Sequence, residues 1–256
     1  MLLVITESCN STNPDTNSII DSNIKFKITE VHPVSGSSSM GIPQIHLILT
    51  TEKIYPCFNY GINLFKSISG RNITINLLGL NVPNICLTAL GPASADVPMQ
   101  VGNGEYNLNI KSKGITDSYI VNVSDSLITV SNKNGEISSP AYNKYYRFPK
   151  NSFAYYCGTT IEDKYICDDF LDTLKSKINI KEFYFPEDGQ KPYPDSSMGH
   201  YYDMPAKFFI YNSEEDFDKI GSIMSSYKKS VIKDKQGIGI SIVNWENKYF
   251  YSWLIK

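Results

Sequence analysis

Through the first half of the chain, apolar residues recur at every second position. Ile24, Phe26 and Ile28 open the series, followed by Ile45, Leu47 and Leu49, and by Ile73, Ile75 and Leu77. The same spacing continues at Tyr106, Leu108 and Ile110, at Tyr119, Val121 and Val123, and at Ile128 and Val130. Period two is the mark of a half-buried strand. Turn signals separate the runs: Ser35-Gly36-Ser37, Ser69-Gly70-Arg71-Asn72, Gly102-Asn103-Gly104 and Lys113-Gly114. With no helical window among them, residues 23–132 predict an all-β antiparallel sandwich domain. Over 133–150 the period lapses and Gly135, Pro140 and Pro149 fall close together, so a linker or wrapping strand is expected there.

From 151 to 256 the pattern mixes two periods. Ser152 to Cys157 is an aromatic strand, and Thr160 with Asp163 offers a cap to the helix that follows. On that helix Cys167, Phe170, Leu171 and Leu174 share one face, which turns Cys167 toward the strand bearing Cys157. Ile178–Phe185 and Lys207–Tyr211 read as strands, and Ser213 with Asp216 caps a second helix whose face is Phe217, Ile220, Met224 and Tyr227. Ile238–Val243 and Tyr249–Ile255 form a hairpin around Asn244-Trp245-Glu246-Asn247. The order strand, helix, strand, strand, helix, strand, strand predicts an α+β ferredoxin-like sandwich with one added strand. That fold serves many functions and names none.

The amino-terminal segment 1–22 has an apolar start, MLLVITES, then Cys9, then a polar run from Asn10 to Ser22. It resembles the end of a bacterial lipoprotein signal peptide, which implies lipidation of Cys9 and a flexible tether after it. The hairpin sequence GEYNLNIKSKGITDSYIVNVSDSLITVS resembles the last strands of an immunoglobulin-like or fibronectin-like module. Together the two imply an envelope lipoprotein with an immunoglobulin-like β-sandwich domain. With Cys9 set aside, the remaining cysteines allow three pairings. Joining Cys57 to Cys86 and Cys157 to Cys167 keeps each bond within one domain and places the chain in an oxidising, extracytoplasmic compartment. Four buried thiols are the alternative.

Composition narrows the partners. At 256 residues, 41% hydrophobic and with a net charge of −2, the chain has the length for two ordinary soluble domains or one large one and no basic surface for nucleic acid. No stretch approaches the ~20 apolar residues of a membrane span, so membrane attachment is expected through the lipid anchor only. Eighteen Tyr against 20% charged residues suit neutral polar partners, carbohydrate or protein, although a coding bias toward Asn, Lys, Ile and Tyr gives the same count. CxxC, HxxxH, P-loop and GxGxxG patterns are missing, so neither metal nor cofactor is expected.

Candidate chemistry gathers in the long segment Pro186–Pro205. Loops of that length inside a domain are commonly functional. Tyr193, His200, Tyr201, Tyr202 and Asp203 could bind a polar ligand by stacking and hydrogen bonds, or simply cover a sheet edge. His200 with Asp203 and Ser197, or with Cys157, is the alternative of a secreted hydrolase, but GxSxG is lacking. His32 and His46 are expected on solvent-facing positions of the sandwich, and the sequence names no partner for either. A second cluster, Tyr142, Tyr145, Tyr146, Phe148, Phe153, Tyr155 and Tyr156 with Lys144, Arg147 and Lys150, reads as a stacking surface or as rings filling a seam. The acidic rows Asp163, Asp168, Asp169, Asp172 and Glu214, Glu215, Asp216, Asp218 read as solvated helix faces, the second also complementing a helix dipole. The expectation is a non-enzymatic, secreted or lipid-anchored envelope protein that binds carbohydrate or a partner protein.

Overall fold

Where side chains alternate, the chain is extended. The computed structural model describes residues 17–34, 40–87, 89–196 and 202–254, and most of them lie in strands. The first group is β1 (Asn17–Ser18), β2 (Ile24–Val31), β3 (Gln44–Tyr55), β4 (Gly61–Ser69), β5 (Asn72–Asn81), β6 (Gly91–Pro98), β7 (Gly104–Ser112), β8 (Ile115–Val123), β9 (Leu127–Asn134), β10 (Ser138–Pro140) and β11 (Lys144–Tyr146). They form one large curled sheet in the order β10-β2-β3-β6-β4-β5-β7-β8-β9-β11, with β1 beside β5. The alternating residues all turn inward: Phe26, Leu47, Ile75, Leu108 and Tyr119 are at most 1% exposed and share one buried cluster.

Three neighbouring pairs, β10 with β2, β4 with β6, and β5 with β7, run parallel. The sheet is therefore mixed, which corrects the all-antiparallel sandwich expected from the period. Each hairpin is antiparallel and closed by its own turn; Lys113 and Gly114, for instance, take φ of 49° and 82°, as a tight hairpin turn between β7 and β8 requires. The parallel edges arise where one hairpin meets the next, and side-chain alternation carries no information about that direction.

Residues 133–150 wrap the sheet. β10 lies on β2 at one end of the order and β11 on β9 at the other, so successive strands draw the two ends together. Asp117, 1% exposed, fixes β10 by accepting hydrogen bonds from the backbone N–H groups of Glu136, Ile137 and Ser138 and from the Ser138 hydroxyl.

The second group is β12 (Ser152–Thr159), α1 (Tyr165–Lys177), β13 (Ile180–Phe183), β14 (Tyr202–Asp203), β15 (Lys207–Tyr211), α2 (Glu214–Tyr227), β16 (Gly239–Asn244) and β17 (Tyr249–Tyr251). Its sheet runs β13-β15-β12-β16-β17, with β14 also on β12, and every pair is antiparallel. Both helices cover one face, where Phe153, Tyr155 and Cys157 of β12 meet Phe170, Leu174, Phe217 and Met224. The opposite face, with Ala154 and Tyr156, lies under Phe185, Tyr193 and Phe208. Covered on both sides, β12 is buried at every position.

Ser213 caps α2 as expected, its hydroxyl accepting the Asp216 N–H at 3.3 Å. The start of α1 differs. Thr160 and Asp163 do not cap it; the helix begins at Tyr165 with Lys164 in the cap position and no side-chain cap. Asp163 is instead drawn into an ion pair with Lys235.

Cys57 is bonded to Cys86 and Cys157 to Cys167, with Cα separations of 5.1 and 5.7 Å. Two such bonds point to an oxidising, extracytoplasmic environment. Cys9 lies outside the described residues. Among the described residues no helix is long and apolar enough to cross a membrane.

Candidate functional site

The two sheets meet at a seam built from three segments. β11 leads into Arg147 and Phe148, whose Nε and backbone N–H donate to the two oxygens of Glu30 at 2.9 and 2.7 Å. The Glu30 side chain is only 4% exposed, so this ion pair is largely shielded from water. The stretch 186–196 runs alongside as a strap: the Tyr146 N–H donates to the Gln190 carbonyl at 2.8 Å and the Gln190 N–H to the Lys144 carbonyl at 2.9 Å. Asp188 pairs with Lys144 and accepts the Tyr146 hydroxyl at 2.5 Å. Burial, and then the negative Asp188, push the Tyr146 hydroxyl up to about 12, while Lys144 holds the Asp188 carboxyl below its ordinary value. On the other side the hairpin turn after β16 receives the first half: His32 Nε2 lies 2.9 Å from the Trp245 carbonyl, and the Gly41 N–H donates to the Glu246 carbonyl at 2.9 Å.

Between these supports lies a cavity of about 390 Å³, within the usual size of small-molecule sites. Its floor is the uncovered part of the second sheet, Tyr156 of β12, Ser241 and Val243 of β16, and Tyr251 of β17. The strap contributes Pro192, Tyr193, Pro194 and Ser196; His32, Phe148 and the turn residues Asn244 and Asn247 complete it. Aromatic rings thus alternate with neutral hydrogen-bonding groups, and none of the described lining residues is charged. A cavity of about 420 Å³ beneath residues 20–24 is different in kind: Asp21 and Lys113 line it, with no aromatic ring among its described residues.

Each ring has a physical reason for its place. Phe148 meets the Tyr193 ring edge-on at 4.7 Å and His32 at 4.9 Å. The Tyr193 hydroxyl is fixed on Ser152, 2.9 Å from its Oγ and 3.1 Å from its carbonyl; burial raises its pKa well above the ordinary tyrosine value. His32 faces the Trp245 carbonyl, to which its Nε2 donates. Tyr156 is 6% exposed, and its hydroxyl is buried without a hydrogen-bond partner among the described residues. Burial, then the nearby Asp195 and Tyr251, raise its pKa, which keeps the phenol neutral and able to donate. Tyr251 stacks between Tyr249 and Trp253, with centroids 4.6 and 4.7 Å apart, so an aromatic column leads away from the cavity along β17.

Of the residues singled out in the long loop, Tyr193 lines the cavity. Tyr202 and Asp203 lie on β14, paired with Thr159 and Gly158. Ser197, His200 and Tyr201 lie outside the described residues. The aromatic cluster divides: Tyr145 joins the first core, Phe153 and Tyr155 the helix-covered core, while Tyr146, Phe148 and Tyr156 meet at the seam. Both histidines of the first half have partners that the sequence did not name: His32 bonds the Trp245 carbonyl and forms part of the cavity, and His46 Nδ1 bonds Asp96 at 2.5 Å. The acidic residues of the helices mostly take surface partners, Asp168 with Lys207 and Asp216 with Lys219, while Asp169 accepts the Tyr227 hydroxyl. Sequence reasoning missed His32, Ser241, Asn247 and Tyr251. The one available signal was the alternate spacing of Tyr249, Tyr251 and Trp253, which starts on the edge strand β17 and runs past its end. Among the described residues, no group of three or more His, Cys, Asp or Glu gathers as a metal site would. No protein-family model, curated protein or solved structure matches the chain.

Proposed function

We propose that this chain is a non-enzymatic binding protein of the cell envelope or extracellular space, and that the seam cavity takes a neutral carbohydrate. The observation that carries the reading is the cavity itself: rings for stacking against C–H faces, neutral hydrogen-bonding groups between them, and the buried Tyr156 hydroxyl without a partner among the described residues. A sugar supplies hydroxyls for the serines and needs no counter-ion, and a small shift of the Tyr156 ring brings its enclosed phenol within reach of the same ligand. The disulfides support an oxidising compartment, and the polar run after Cys9 supports a lipid-anchored tether. In this reading the chain has two domains. The first is a sandwich acting as spacer or adhesion module; the second is a ferredoxin-like α+β unit with an added edge strand, supported by the order β13-β15-β12-β16-β17.

The full chain applied to an array of immobilised glycans tests this, with calorimetry on whatever is retained. The expected result is saturable binding of a neutral saccharide that is unchanged by added salt, because no charged lining residue takes part. Retention of charged glycans alone, or of none, overturns it.

A further inference from the structure

One end of the first sheet carries an apolar surface that the seam does not use. The connections β3–β4 and β5–β6 are stapled together by Cys57–Cys86. Phe58, Ile85, Leu87 and Leu90 stand out from them at 61, 77, 53 and 72% exposure, and Ile54 at the end of β3 is exposed as well. Contiguous apolar groups of this kind mark interaction sites. Neither 54–65 nor 72–95 contains a charged residue.

Four backbone groups beneath these side chains are paired within the two connections. Asn59 Nδ2 donates to the Ile85 carbonyl at 2.8 Å, Asn59 Oδ1 accepts the Leu87 N–H at 3.2 Å, and the Phe58 N–H donates to the Leu87 carbonyl at 3.4 Å. Water would satisfy such groups without help; an apolar medium tolerates them only when they are paired within the protein. Protein interface cores favour Tyr, Trp, Phe, Met and Arg inside a hydrogen-bonding rim and are poor in Leu hot spots, whereas the exposed apolar side chains at this end are mostly aliphatic, Ile54, Ile85, Leu87 and Leu90 beside Phe58. We propose that the stapled tip inserts into the surface of a neutral lipid bilayer. The disulfide makes the two loops one unit, so little ordering remains to be done on insertion. Gly91 leaves room for the Phe58 ring, which lies 2.8 Å from where a Cβ at that position would be. Without charge, the tip gains nothing from anionic headgroups, and insertion is insensitive to salt.

The test uses the full chain with Cys9→Ser, so that no acyl group at that position contributes, mixed with vesicles of pure phosphatidylcholine. Co-sedimentation equal at low and high salt is expected. Phe58→Ser combined with Leu90→Ser weakens it about tenfold or more, since acyl-region burial scales with apolar area, and leaves circular dichroism unchanged because both residues are exposed. As a check independent of that variant, Ile85→Trp shows a blue-shifted emission when vesicles are added. The proposal is overturned by no partitioning, by partitioning onto anionic vesicles alone, or by partitioning that survives the double substitution. It is equally overturned if the substitutions abolish self-association in a protein that ignores vesicles, for then a second copy covers the tip.

Discussion

The side chains that matter most are polar groups in dry places. Asp117 holds four donors of the wrapping segment at 2.6 to 3.0 Å. Hydrogen bonds to a buried charge carry more than neutral ones, and their loss leaves several donors orphaned. Asp117→Ala is expected to lower stability by about 3 kcal/mol, read as a fall in the urea midpoint with an unchanged slope; a loss under about 1 kcal/mol would mean that β10 is held by its strand pairing alone. Tyr156 is the reverse case. An unsatisfied buried hydroxyl costs on the order of 1–3 kcal/mol; Tyr55, Thr159 and Trp245 carry a buried group unpaired among the described residues as well, and Tyr156 is set apart from them by lining the seam cavity. Neither residue stands out in the sequence. Asp117 lies in an alternating strand beside a turn, and Tyr156 in a run of rings, because the partners that define them come from elsewhere in the chain.

At the scale of elements, the two disulfides differ in access. Cys157 and Cys167 are fully buried between β12 and α1, whereas Cys86 is exposed at the loop tip. Exposed disulfides reduce more readily. Mild reductant under native conditions, followed by alkylation and mass spectrometry, is therefore expected to label Cys57 and Cys86 first, with Cys157 and Cys167 protected until unfolding. Labelling in the opposite order would contradict the packing of α1. The strands with clear alternation were legible in the sequence, as were both helix faces and both cysteine pairs. β4 and β6 were not. β4 has Ile62 as its single buried residue, and β6 reads GPASADVP, rich in Gly, Pro and small residues. Both are strands because neighbours supply a ladder, β5 to β4 and β3 to β6, and a ladder made by a neighbour leaves little mark on the strand itself.

For the whole molecule, the buried tyrosines set a limit at high pH. Burial pushes Tyr145 from its ordinary 10.0 up to about 12, and Tyr155 and Tyr193 well above the ordinary value. Their folded pKa values exceed the unfolded one, so the neutral forms stabilise the fold fully below about pH 10, and that contribution is lost as pH rises through 10 toward 12. Tyrosinate absorbance and circular dichroism followed together are expected to show exposed rings ionising first without structural change, then the buried rings with cooperative unfolding. A single early titration of all tyrosines would mean that the cores are open to water. The seam joins positions from His32 to Tyr251, a separation that periodicity cannot bridge; only the long loop and the ring cluster announced that something lay there. The most direct measurement is the affinity of wild type and Tyr156→Phe for the same neutral saccharide, alongside their thermal midpoints. Loss of one buried hydrogen bond to ligand predicts binding weakened about tenfold, with stability equal or slightly raised. Equal affinity in the two proteins would contradict the assignment of the seam cavity as the binding site.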